Sequence, residues 1–123
     1  MMSPRLCLFV LATALMLPSV ASTAEIDRVS ASELVIATYN LRFAGSEAAN
    51  AWPARRPVLK DLLDRYQPDL IGTQEGLYHQ LKDIAADQPA YDWIGLGRDG
   101  GSRGEFMAIF YRRDRFEPLE YDH

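Results

Sequence analysis

Two short aliphatic segments, Leu34-Val35-Ile36-Ala37-Thr38-Tyr39-Asn40 and Asp69-Leu70-Ile71-Gly72-Thr73-Gln74-Glu75, constrain this chain more than any other feature. Each reads as a short strand, the first rich in β-branched residues, and each ends on an oxygen-bearing side chain. Between them, Pro57 to Tyr66 carries Val58, Leu59, Leu62, Leu63 and Tyr66 at three- and four-residue intervals. Lys60, Asp61, Asp64 and Arg65 fill the opposite face, which predicts an amphipathic helix. Gln67-Pro68 ends it, because a residue before proline is pushed out of helical geometry. Strand, helix and strand make a βαβ unit with parallel strands and a right-handed crossover. Asn40 and Glu75 then reach the same sheet edge, where an amide and a carboxylate supply half of a site for a hard divalent cation. Both residue types also end strands as turn formers or solvated charges, so the pattern alone leaves either role open.

The 123-residue chain, 48% hydrophobic and 24% charged, has the composition of one small globular domain. Its first 24 residues are set apart. Met1-Met2-Ser3-Pro4-Arg5 is a positive start, Leu6 to Leu17 is apolar, and Val20-Ala21-Ser22-Thr23-Ala24 offers small residues for cleavage. This is the grammar of a secretory signal peptide, and the apolar run is too short to span a membrane. The expected location is secreted or periplasmic, with no membrane span after cleavage. Cys7, the only cysteine, would leave with the signal, so the mature chain has no thiol for catalysis, disulfides or zinc. Removing Arg5 leaves 12 basic against 17 acidic residues, a net charge of −5. Tight, sequence-independent binding to long nucleic acid is therefore not expected, although one arginine or one metal ion suffices for a local phosphate.

Residues 25–33 read as a flexible polar lead-in, and 34–123 as the folded part. Arg42 to Pro53 is expected to be a loop, with Pro53 suited to a first helical turn. Leu77, Leu81, Ile84 and Ala85 predict a second helix from Leu77 to Ala86. Tyr91 to Leu96 reads as a strand, Arg98 to Gly104 as a turn-rich loop, and Glu105 to Arg112 and Arg115 to Tyr121 as a closing hairpin. Gly95-Leu96-Gly97-Arg98-Asp99-Gly100 fits a dinucleotide fingerprint in letters only, since no helix follows to receive a pyrophosphate.

Thr38-Tyr39-Asn40-Leu41-Arg42, Pro68 to Glu75 and Gly104-Glu105-Phe106-Met107-Ala108-Ile109-Phe110-Tyr111 together resemble the endonuclease/exonuclease/phosphatase superfamily. The resemblance runs from about Leu34 to Tyr121. It implies an α+β fold, a DNase I-like β-sandwich flanked by helices, of which this chain carries about the first half. It implies magnesium, with manganese as a substitute, and hydrolysis of a phosphate ester by metal-activated water. On the matching positions, Glu75 becomes the metal ligand and Asn40 its neighbour in the catalytic and metal site. Arg42 departs from the acidic residue that many nucleases of the family carry there. The family's later Asp-x-Asn and Asp-His segments have no counterpart, and His123 does not stand in for that histidine. The alternative reading is therefore a catalytically inactive half-domain that binds a metal or partner weakly.

Three further residues are candidate substrate contacts, each with a plain structural alternative. His79 follows Glu75 by four residues near a helix start, and is equally an exposed helix residue. Arg55, with Arg56, is placed to bind a phosphate bidentately or to sit on a solvated helix face. Glu105 opens a strand and either supports the site or is an edge charge. A carbohydrate-binding surface built from Trp52, Tyr91 and Trp93 is a further class, which requires those aromatics to be exposed.

Overall fold

In a computed structural model, residues 33–45 and 50–120 are described. The expected signal peptide, nearly all of the lead-in and His123 lie outside them. Four strands and two helices follow in the order β1 (Ile36–Asn40), α1 (Trp52–Tyr66), β2 (Leu70–Gly76), α2 (Tyr78–Asp87), β3 (Tyr91–Ile94) and β4 (Phe106–Arg112). They form an α+β fold whose single mixed sheet runs β1-β2-β4-β3. The expected βαβ unit is present: β1 and β2 are parallel, with Ile36 opposite Leu70 and Asn40 opposite Gln74. β4 returns antiparallel between β2 and β3.

Side-chain alternation sorts the sheet into two faces. Ile71, Thr73, Phe106, Ala108 and Phe110 are buried on one face, packed with Leu59 and Leu63 of α1 and Leu81 and Ile84 of α2. The other face carries Ile36, Met107 and Ile109, which are 65%, 78% and 47% exposed and so take no part in that core.

Three expectations need correcting. α1 begins at Trp52 rather than Pro57: Pro53 occupies its first turn, and the helix continues through the exposed Pro57, which has no amide to donate. Its buried stripe is Trp52, Leu59 and Leu63, while Val58, Leu62 and Tyr66 face outward. No strand forms between Arg115 and Glu120; the chain turns after β4 through Arg115 and Phe116 amides bonded to the Arg112 carbonyl. Pro118 lacks a ladder donor, and Leu119 is 95% exposed. The hairpin partner of β4 is β3.

Polar bonds fasten the layers at defined points. Asp69, fully buried, accepts a bond from the Val35 amide at 2.9 Å and meets Arg115 Nη1 at 2.6 Å, tying both ends of the described chain to the start of β2. Arg56 joins the helices, its Nε and Nη2 donating to Asp87 at 2.7 and 2.9 Å and its Nη1 reaching Asp83 at 2.8 Å. Trp52 Nε1 also donates to Asp83 at 2.7 Å. Trp52 and Tyr91 are buried and Trp93 packs partly against the core, which removes the aromatic carbohydrate surface.

Candidate functional site

Glu75 does not continue β2 as a regular strand residue. The pairing with β4 shifts between Thr73 and Gly76, so β2 spends one more residue than its partner over this stretch. Glu75 takes a left-handed backbone, φ 56°, at this β-bulge. That conformation costs a non-glycine residue on the order of 1–3 kcal/mol and persists only where its surroundings hold it. Gly76 shows how close those surroundings are: a Cβ there would lie 2.8 Å from Leu41 Cδ1.

Asn40, at the end of β1, meets Glu75 across the sheet edge. Its Nδ2 donates to Glu75 Oε1 at 2.7 Å, and its Oδ1 accepts from the Arg42 amide at 2.7 Å. These partners fix the amide orientation, because a backbone N–H requires an acceptor and a carboxylate requires a donor. Arg42 has φ 52°, so both sides of the site carry left-handed residues.

The loop after β1 is held by two side chains. Arg55 donates from Nε to the Asn50 carbonyl at 2.7 Å, from Nη2 to the Arg42 carbonyl at 3.1 Å, and from Nη1 to the Leu41 carbonyl. It also lies over the Trp52 ring, 5.6 Å from its centroid. Arg55 thus clamps the loop that follows Asn40, and Arg56 spans the two helices. Gln80 is fully buried; its Oε1 accepts from the Leu77 amide at 2.8 Å and its Nε2 donates to the Arg42 carbonyl at 3.3 Å.

Glu75 opens onto a cavity of about 530 Å³ lined by Gln74, Leu96, Gly97, Arg98, Glu105, Phe106 and Met107. The structure therefore brings Glu105 to the same cavity as Glu75, where Arg98 Nη2 meets Glu105 Oε2 at 2.7 Å. His79 is exposed in the first turn of α2. Its four-residue spacing from Glu75 has no helical meaning, because Glu75 belongs to β2 and Gly76-Leu77 separates the elements.

Oxygen donors alone suit a hard cation such as magnesium or manganese. Among the described residues no group of three His, Cys, Asp or Glu side chains is gathered, so the oxygens here are few: the Glu75 carboxylate, and an Asn40 Oδ1 that already accepts from the Arg42 amide. Such a set fits a cation that keeps several waters and takes further oxygens from substrate.

Gln80 and Arg98 were not legible as site residues. Gln80 had one signal, a glutamine three residues beyond the residue that precedes α2, the spacing from which a side chain bonds back to the helix start. Arg98 had none, lying in a turn-rich loop.

A family model described as "Endonuclease/Exonuclease/phosphatase family" matches residues 37–122. Among solved structures, a Bacteroides thetaiotaomicron mannosyl-6-phosphatase superposes with a TM-score of 0.68 at 47% identity, covering 72% of this chain and 34% of its own. An endonuclease/exonuclease/phosphatase from Bacteroides vulgatus gives a TM-score of 0.68 at 36% identity, with 71% and 34% covered. A Bacteroides thetaiotaomicron protein of the same family gives 0.67 at 47% identity, with 71% and 32% covered. The chain spans about a third of the length of these relatives. No curated protein matches it.

Proposed function

The chain belongs to the endonuclease/exonuclease/phosphatase family, and from that premise we propose that it carries the metal-binding part of a phosphoesterase site centred on Glu75. The observation that carries this reading is the Asn40–Glu75 bond at the bulged end of β2. It holds a carboxylate, on a strained backbone, at the mouth of a cavity large enough for a small ester. Glu75 would hold magnesium or manganese, with the remaining lone pair of Asn40 Oδ1 available as a neighbouring oxygen. When bound, the cation supplies Lewis-acid polarisation of a phosphoryl oxygen and a lowered pKa for water. Asn40 fixes the carboxylate rotamer, and Arg55 and Gln80 fix the loop that follows Asn40. Export through the N-terminal segment belongs to the same proposal.

The substrate that fits best is a phosphate ester of a small sugar or similar alcohol, a class to which the mannosyl-6-phosphatase relative points. The net charge of −4 favours such a molecule over a long nucleic-acid backbone. A second reading, a metal or partner binder without turnover, is favoured by the absence of any gathered group of three His, Cys, Asp or Glu side chains among the described residues.

Calorimetric titration of magnesium into the chain and its Glu75→Gln variant tests the metal role. Binding by the parent and its loss in the variant are expected; equal binding by both would remove Glu75 from the site. Hydrolysis of p-nitrophenyl phosphate with magnesium separates the two readings, turnover sinking the second.

A further inference from the structure

Arg98 is the one guanidinium among the described residues lining the Glu75 cavity, and its placement is unusually well determined for a side chain 72% exposed. Its loop is cross-tied. The Gly97 amide donates to the Gly101 carbonyl at 3.0 Å, the Gly100 amide to the Gly97 carbonyl at 2.8 Å, and Arg103 Nη2 to the Asp99 carbonyl at 3.0 Å. Gly97 pairs with Phe106 across the loop, and a Cβ on it would sit 2.0 Å from the Arg103 carbonyl oxygen. Arg98 is fixed at both ends, its amide donating to the Glu105 carbonyl at 3.0 Å and its Nη2 meeting the Glu105 carboxylate at 2.7 Å. An exposed ion pair of this kind contributes little to stability; what it does here is hold the guanidinium at the wall of the cavity.

We infer that Arg98, positioned by Glu105, reads the phosphate in this cavity and selects phosphomonoesters over phosphodiesters. The inference rests on the proposed phosphoesterase role of the Glu75 cavity. Glu105 engages one part of the guanidinium, and the other donors of the planar fork match phosphate oxygens two at a time. A monoester offers three non-bridging oxygens and a charge approaching −2 at neutral pH, so Arg98 and the Glu75 side of the cavity can each take their own oxygens. A diester offers two such oxygens and one charge, and brings a second ester arm into the same space. Leu96 and Met107 supply an apolar wall for the alcohol part.

The test is an NMR titration of the ¹⁵N-labelled chain, with magnesium in excess, using glucose 6-phosphate and dimethyl phosphate as probes. The monoester should bind at least about tenfold more tightly, in line with charged hydrogen bonds to one guanidinium. Arg98→Ala should abolish that preference by weakening the monoester alone, and Arg98→Lys should retain part of it. Glu105→Gln should lower monoester affinity less than Arg98→Ala does, and should add nothing in the Arg98→Ala background, as expected for a residue acting through Arg98. An unchanged preference in Arg98→Ala, an equal loss for both probes, a preference for the diester, or no binding of either probe would each overturn the inference. Magnesium calorimetry without phosphate reads Glu75 separately: retained metal binding with an unchanged Arg98→Ala preference sinks Arg98 alone. Lost metal binding with the preference intact sinks the metal role alone.

Discussion

Asn40 Nδ2 lies 2.7 Å from Glu75 Oε1 while the other end of the same amide is committed to the Arg42 amide at 2.7 Å. One small side chain therefore ties the end of β1, the loop after it and the end of β2 into a single geometry. Because the amide cannot rotate without losing both bonds, the direction of Glu75 is set by the fold itself.

Removing that director should be felt in metal binding. Asn40→Ala is expected to lower magnesium affinity by roughly 10- to 100-fold, the range seen when a partner that orients a metal ligand is lost. Calorimetry would measure it, and an affinity equal to the parent's would show that Glu75 orients itself.

The left-handed backbone at Glu75 should trade stability for site geometry. Glu75→Gly removes the Cβ that disfavours φ 56° and is expected to raise unfolding stability by about 0.5–1 kcal/mol, net of one exposed hydrogen bond. Urea denaturation reads this directly. A destabilised variant would mean that the bulge is comfortable with a side chain.

Gln80 carries more of the site than its place in α2 suggests. Gln80→Ala strands the Leu77 amide and takes one of two donors from the Arg42 carbonyl, which keeps Arg55, and should cost about 1–3 kcal/mol. Gln80→Glu keeps the acceptor but buries a carboxylate against the Arg42 carbonyl, and should cost at least as much as alanine in denaturant titrations at neutral pH.

Acid should loosen the seam between the helices. The Arg56 guanidinium holds the Asp87 carboxyl below its ordinary value, and Lys60 and then Gln88 do the same for Asp64. Carboxyls depressed in the folded state contribute stability that is complete above their unfolded values and is lost as pH falls through the folded ones. Thermal midpoints should therefore be flat above about pH 5 and decline below about pH 4. Added salt should shrink the decline, since these pairs are largely exposed. A midpoint unchanged at pH 3 would refute the contribution.

Much of this architecture was legible because it rests on local periodicity. The pattern of Leu77, Leu81, Ile84 and Ala85 located α2, and the aliphatic runs ending at Asn40 and Glu75 located the parallel pair. The start of α1 was legible in Pro53 as a first-turn residue but not in the apolar pattern, which begins only after Pro57, and the supposed strand after Arg115 failed because Pro118 and a turn onto the Arg112 carbonyl outweigh its apolar residues. The insertion of β4 between β2 and β3 is a long-range choice that no local pattern encodes. The same holds for Arg55: its fork finds three backbone carbonyls, which a reading of charged side chains does not reveal.

The bulge in β2 also makes the position of Glu75 a matter of counting. Ile71 and Thr73 point into the core, and an unbroken alternation would send residue 75 after them. The extra residue hands the inward slot to Gly76 and leaves Glu75 exposed. Deleting one residue between Thr73 and Gly76 would restore the even pleat with Gly76 still in the inward slot, and would remove the extra, left-handed position on which Glu75 stands. Length at this point therefore serves the site rather than the core: Gly76 fills the inward slot either way, and the extra residue is what sets the carboxylate outward.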